Sequence, residues 1–231
     1  MLSLASMARK PNRPSPEEIL VALFDAEHAV RRFHEELRHV DRAQLLRTMA
    51  GAVAASLREQ NERDAVVQQT CLAQILGQLT GDAAVDLLID LFGSEHPEPQ
   101  QIAGEALEQL AFDRFKEVAL GIERALVRLP QSSPARSGFP YLLEEVPEPG
   151  VAVLLGKMLT QVDADAVCAA VEMISDRKET SLIPALEGLK SDPRLVDLDD
   201  DEGETDQVQL GLLVTEALAE LNAIKTLQGA E

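Results

Sequence analysis

His34-Glu35 followed by His39 is the arrangement in this chain closest to metal chemistry. A zinc-hydrolase helix needs two histidines four residues apart, with a glutamate beside the first, so that both imidazoles reach one ion. Here the second histidine comes one residue late. On a helix, His34 and His39 lie about 140° apart, and His28 and His39 share a face but sit about 16 Å apart along it. These side chains read as a solvated helix face. The run Asp192 to Asp206 invites calcium, with eight acidic residues against one Arg. A calcium loop alternates carboxylates, then turns at a glycine and closes on a distant Glu. From Asp197 the alternation reaches Asp199 and Asp201, but Glu202 stands where glycine is required and Val208 stands at the closing position. The segment is expected to be a solvated, mobile loop in which like charges repel. The two cysteines, Cys71 and Cys168, sit in separate helical patterns and read as packing residues of a reducing compartment. No glycine-rich phosphate loop, nucleophile elbow or Cys/His zinc set is present, so no catalytic residue, metal site or cofactor is assigned.

The elements that would carry any site announce themselves through one pattern repeated four times. Apolar residues at offsets 0, 3, 4 and 7 fall on one helix face. The copies are Leu72/Ile75/Leu76/Leu79, Ala103/Ala106/Leu107/Leu110, Val167/Ala170/Val171/Ile174 and Val214/Ala217/Leu218/Leu221, with starts 31, 64 and 47 residues apart. The spacing fits a period near 32, with one degenerate copy and one insertion. A period of that size predicts stacked helix pairs. The expected fold is all-α, a right-handed α-solenoid of antiparallel helix pairs with roughly ten helices.

Composition agrees with a folded helical chain. Of the 231 residues 45% are hydrophobic but only 3% aromatic, so Ala, Leu and Val must fill the core. The formal net charge is −19 and uneven: +1 over residues 1–60, −6 over 61–140 and −14 over 141–231. Such a field repels nucleic acid and anionic membranes and attracts a basic protein. No stretch has the length and hydropathy of a membrane span. The first residues are a poor signal peptide, because the basic residues follow the short apolar run. The expected location is cytoplasmic.

Along the chain, residues 1–14 read as a flexible tail and 15–222 as a single solenoid domain. Ser15-Pro16-Glu17-Glu18 has the cap, proline and acids of a helix start. Further helices are expected from Asp41 to about Gln60, 64–79, 82–92, 97–111, 113–129, 151–159, 163–174, 181–190 and 206 to about 221. Prolines and a glycine interrupt residues 130–148, where the degenerate copy falls. The acidic loop spans 192–206, and 223–231 forms a C-terminal tail.

The segment Ser181 to Asp192 resembles the first helix of a HEAT repeat, and Ile102 to Leu110 and Val214 to Leu221 resemble second helices. The short period is similar to that of bacterial HEAT-like repeats of the phycobilisome-lyase type, and the resemblance covers about residues 41–222. It implies that second helices line a concave side. Gln74, Gln78, Glu105, Glu108, Gln109, Glu172, Glu216 and Glu220 would then face a shared acidic groove, with Asp199, Asp200 and Asp201 on a flexible arm. The expected function is a non-enzymatic protein-binding module, an adaptor, scaffold or inhibitor that steers a basic partner onto that face. The repeat type also suggests an alternative, a bilin lyase-like protein or chaperone holding a tetrapyrrole. Self-association of a purely structural repeat protein is the third reading.

Overall fold

The computed structural model describes residues 14–199 and 205–228. Those residues form ten α-helices and one two-stranded sheet, so the chain is all-α in class. They divide into two compact units, one ending at Arg47 and one beginning at Thr48. The sequence pattern alone suggested a single domain from residue 15.

The first unit holds α1 (Pro16–Leu37) and the start of α2 (Arg42–Ser56). Ser15 caps α1 as its sequence demands. Its Oγ accepts the Glu18 N–H at 3.2 Å, and Glu18 Oε2 accepts the Ser15 N–H at 2.7 Å, a reciprocal capping box. None of the 22 residues of α1 is buried. Asp41 Oδ1 accepts the Gln44 N–H at 2.9 Å and opens α2.

The second unit continues through α3 (Glu62–Leu76), α4 (Asp82–Phe92) and α5 (Pro97–Arg128), which pack on one another. The turn into α4 needs Gly81, whose φ of 90° is open only to a residue without Cβ. Two helices were expected over 97–129. Two helical halves are present, numbered together as α5 and meeting at Arg114, where φ −146° and ψ 53° break the helix without a connecting loop. The second half packs closely on α4, since a Cβ on Gly121 would lie 2.5 Å from Val85 Cγ1.

The interrupted stretch is folded rather than open. It contains α6 (Ala135–Gly138) and a 3₁₀ turn at Tyr141–Leu143. The Phe139 ring is buried with its centroid 6.3 Å from that of Phe92. Then follow α7 (Gly150–Met158), α8 (Ala164–Asp176), α9 (Ile183–Glu187) and α10 (Leu210–Gln228). Helix α10 runs past Leu221, so residues 223–228 are helical. All the apolar positions of the last two repeat copies are buried, and Ala103, Leu107 and Leu110 of the second are too.

The acidic segment departs from expectation. Its described part is not a loop but holds β1 (Leu195–Asp199) paired antiparallel with β2 (Thr205–Gln209), and the residues between the two strands lie outside the described ones. The register sets Val196 against Val208 and Leu198 against Asp206. Alternation explains the pairing: Val196 is buried and Leu198 half-buried, while Leu195 and Asp197 face solvent. Val196 and Leu198, two residues apart, set the packed face, while Asp197 lies on the other face and Asp206, opposite Leu198, stays exposed. β1 rests on α8 and β2 leads into α10. The base is clamped by Arg194, which holds Asp192 at 2.6 Å and donates to the carbonyls of Gln161 and Val162 at 2.9 and 2.8 Å. Val196→Asp puts a charge into that packed face and is expected to free the hairpin. Limited proteolysis would then cut within 192–209 in the variant and spare wild type; equal resistance of both would contradict the packing.

Candidate functional site

Glu105, Glu108 and Gln109 sit on the first half of α5. Ala103, Leu107 and Leu110 turn inward there, so helical geometry sends these three outward. They line a hollow of about 290 Å³ together with Phe112, Tyr141, Glu144 and Glu145, with Leu142 and Val146 as apolar lining. A second hollow of about 290 Å³ gathers Glu172 and Ser175 of α8 with Glu216 and Glu220 of α10. Its apolar part is Val171, Leu198, Leu213 and Ala217, so the hairpin supplies one wall. Ser175 Oγ donates to Glu220 Oε2 at 2.9 Å. The Tyr141 hydroxyl, from the first hollow, donates to Glu172 Oε2 of the second at 2.5 Å. The two hollows therefore adjoin through one hydrogen bond.

Neither lining includes a Lys or Arg. Several cations of this unit are engaged elsewhere. Asp82, Asp86 and Asp90 step along α4 at helical spacing, as do Arg124 and Arg128 along α5. Arg124 meets Asp86 at 2.9 Å and Asp82 at 3.9 Å, and Arg128 pairs with Asp90. Lys157 holds Glu123 at 2.6 Å. Arg136, Arg177 and Arg194 spend donors on backbone carbonyls. The groove carboxylates are left to repel one another. Partial burial, then the charges of Glu105 and Glu144, push the Glu108 carboxyl above its ordinary value of 4.5. Burial, with the hydrogen bond to Glu172 and its charge, raises the Tyr141 phenol. The Cys168 thiol is also pushed up, first by burial and then by Glu172 and Asp165, which favours the inert thiol over a nucleophilic thiolate.

Six of the residues expected to bind a partner are thus brought together: Glu105, Glu108, Gln109, Glu172, Glu216 and Glu220. Gln74 and Gln78 line neither hollow, and Gln78 Nε2 donates to the Gln74 carbonyl at 3.4 Å on its own helix. Asp199 is not on a free arm; its backbone pairs with Thr205 in the hairpin. Asp200 and Asp201 lie outside the described residues. Sequence reasoning missed Phe112, Tyr141, Glu144 and Glu145. The one signal available was the chain's single tyrosine beside an acidic pair, in a stretch where helical periodicity fails. Among the described residues no group of three or more His, Cys, Asp or Glu is placed to hold a metal ion, and no helix is long and apolar enough to cross a membrane. No family model, curated protein or solved structure matches this chain.

Proposed function

We propose that this chain is a non-enzymatic protein-interaction module. In this reading its second unit belongs to the HEAT-like α-solenoids, a right-handed stack of antiparallel helix pairs, and binds a basic partner protein. The observation that carries the reading is the pair of adjoining hollows with seven glutamates in their linings and no Lys or Arg. Apolar surface from Phe112 and Leu213 lies among those charges, so the surface suits a partner that offers both cations and apolar anchors. Long-range attraction would speed encounter, and the apolar contacts would hold the bound state. The tetrapyrrole alternative calls for cations to hold propionates, and neither hollow contributes one to its lining.

A fluorescent peptide of alternating Arg and Leu residues tests the idea, titrated against the full chain at low and high salt. Saturable binding that weakens steeply with salt is expected. Binding that ignores salt, or no saturable binding at low salt, would remove the electrostatic mechanism. A parallel titration with bilin, read by absorbance, is expected to stay flat; a saturable shift would instead favour the tetrapyrrole reading.

A further inference from the structure

Helix α1 carries a second surface, unrelated to the acidic face. Ile19, Leu23, Ala26, Val30, Phe33 and Leu37 follow one another at spacings of 4, 3, 4, 3 and 4. That alternation is the seam of a coiled coil, in which two helices interlock along about 27 Å here. None of these residues is buried, and Ile19, Leu23, Val30 and Phe33 are each about half exposed, at 53, 60, 48 and 53%. Leu20 and Phe24 widen the apolar stripe on one side. An isolated amphipathic helix gains little from exposing such a face, and its capping box and 22-residue length make it a stable element awaiting a partner.

We infer that α1 pairs antiparallel with α1 of a second copy of this chain. Charge decides the occupant and the direction. From Pro14 to Glu27 the charged residues are Glu17, Glu18, Asp25 and Glu27, with no base; from His28 to His39 Arg31, Arg32 and Arg38 outnumber Glu35 and Glu36, so an acidic half faces a weakly basic one. An antiparallel pair centred near His28 sets Glu18 level with the second copy's Arg38 and Asp25 level with its Arg31. The same centring stacks Ile19 on Leu37, Leu23 on Phe33 and Ala26 on Val30, each small or large side chain against its complement. Glu27 meets its own copy near the middle, and Arg31 already sits on it at 3.1 Å to offset the repulsion. Opposed helix dipoles add to the preference. Six half-exposed Ile, Leu, Val and Phe side chains offer on the order of 600 Å² per copy, before any flanking contact, close to the ~800 Å² per partner of a standard interface. The contact is isologous, so it closes at two copies.

Light scattering on the full chain at tens of micromolar is expected to give about twice the chain mass of 25.1 kDa. Leu23→Glu/Val30→Glu is expected to halve it, with helix content unchanged because α1 buries nothing. Wild type running as a single chain, or a variant still at double mass, would overturn the pairing. Direction is read by cross-linking in a Cys71→Ser background. Ala26→Cys mixed with Val30→Cys should give disulfide-linked heterodimers, whereas rapid linkage within Ala26→Cys alone would refute the antiparallel order.

Discussion

Arg136→Met is expected to lower unfolding stability by about 3 kcal/mol, read as an earlier urea midpoint with unchanged slope. Arg136 is 1% exposed, the most enclosed charged side chain among the described residues. Its guanidinium donates to the carbonyls of Leu126, Leu129 and Pro130 at 2.8, 2.7 and 2.8 Å, and to Gln161 Oε1. These carbonyls belong to the end of α5 and the turn beyond it, where a helix leaves oxygens without intrahelical donors. Methionine fills much of the volume but supplies no donor, so partly buried acceptors lose their partners at once. Lysine keeps the charge yet lacks the planar fork that reaches several acceptors, so Arg136→Lys should recover only a minor part. A midpoint within error of wild type for both variants would show that water replaces the guanidinium at no cost. Arg177, which donates to the carbonyls of Leu143, Glu144 and Val146, and Arg194 at the hairpin base repeat the device. Three arginines thus tie down the three irregular stretches of the second unit.

Glu108→Gln/Glu172→Gln/Glu216→Gln is expected to weaken binding of the Arg-Leu peptide about tenfold or more and to flatten its salt dependence. Each exposed charge contributes roughly 0.2–1 kcal/mol to such a contact, and about 1.4 kcal/mol is a factor of ten. The control replaces Glu62, Glu95 and Glu98 in the same way, which removes equal charge from exposed residues that line neither hollow. Equal weakening by control and groove variants would mean that net charge alone attracts the peptide, and the site would lose its support. The pH dependence has a definite sign. The Glu108 pKa is raised in the folded chain, so a proton returns to it at a pH where an ordinary carboxylate is still ionised. Affinity for a cationic peptide should be full at neutral pH and decline as pH falls toward 4.5 from above. The effect on folding runs the other way. A carboxyl whose folded pKa exceeds its unfolded value contributes stability below the unfolded value and loses it as pH rises through the folded one. Glu108→Gln is therefore expected to bind less well at neutral pH while unfolding no more easily than wild type.

The repeat was legible because burial and helical period coincide. Val167, Ala170, Val171 and Ile174 are all enclosed, and so are Val214, Ala217, Leu218 and Leu221. A pattern that reports which side of a helix is dry also reports which side is wet, and six of the residues read that way line the two hollows. Two features were hidden for physical reasons. The hairpin rests on a few apolar positions between 195 and 208, a signal swamped by seven acids in the same stretch. The contribution of Tyr141, Glu144 and Glu145 comes from 3₁₀ and irregular backbone, where no period links a residue to its direction. Arg136 gave no signal either, since its acceptors are main-chain oxygens whose positions depend on where α5 stops. The division at Arg47 was equally silent, because α2 continues across it without a break in helical residues.

β2 ends at Gln209 and α10 begins at Leu210, so no spacer separates strand from helix. The junction is pinned: the Leu210 N–H reaches the Arg194 carbonyl at 2.9 Å, the Gly211 N–H reaches that of Asp192 at 3.1 Å, and a Cβ on Gly211 would come within 2.5 Å of the Lys190 carbonyl. Any side chain at Gly211 would have to displace the backbone of residues 190–192, so the fit of the hairpin base against the start of α10, and with it the wall that Leu198 gives the second hollow, depends on the absence of a single Cβ.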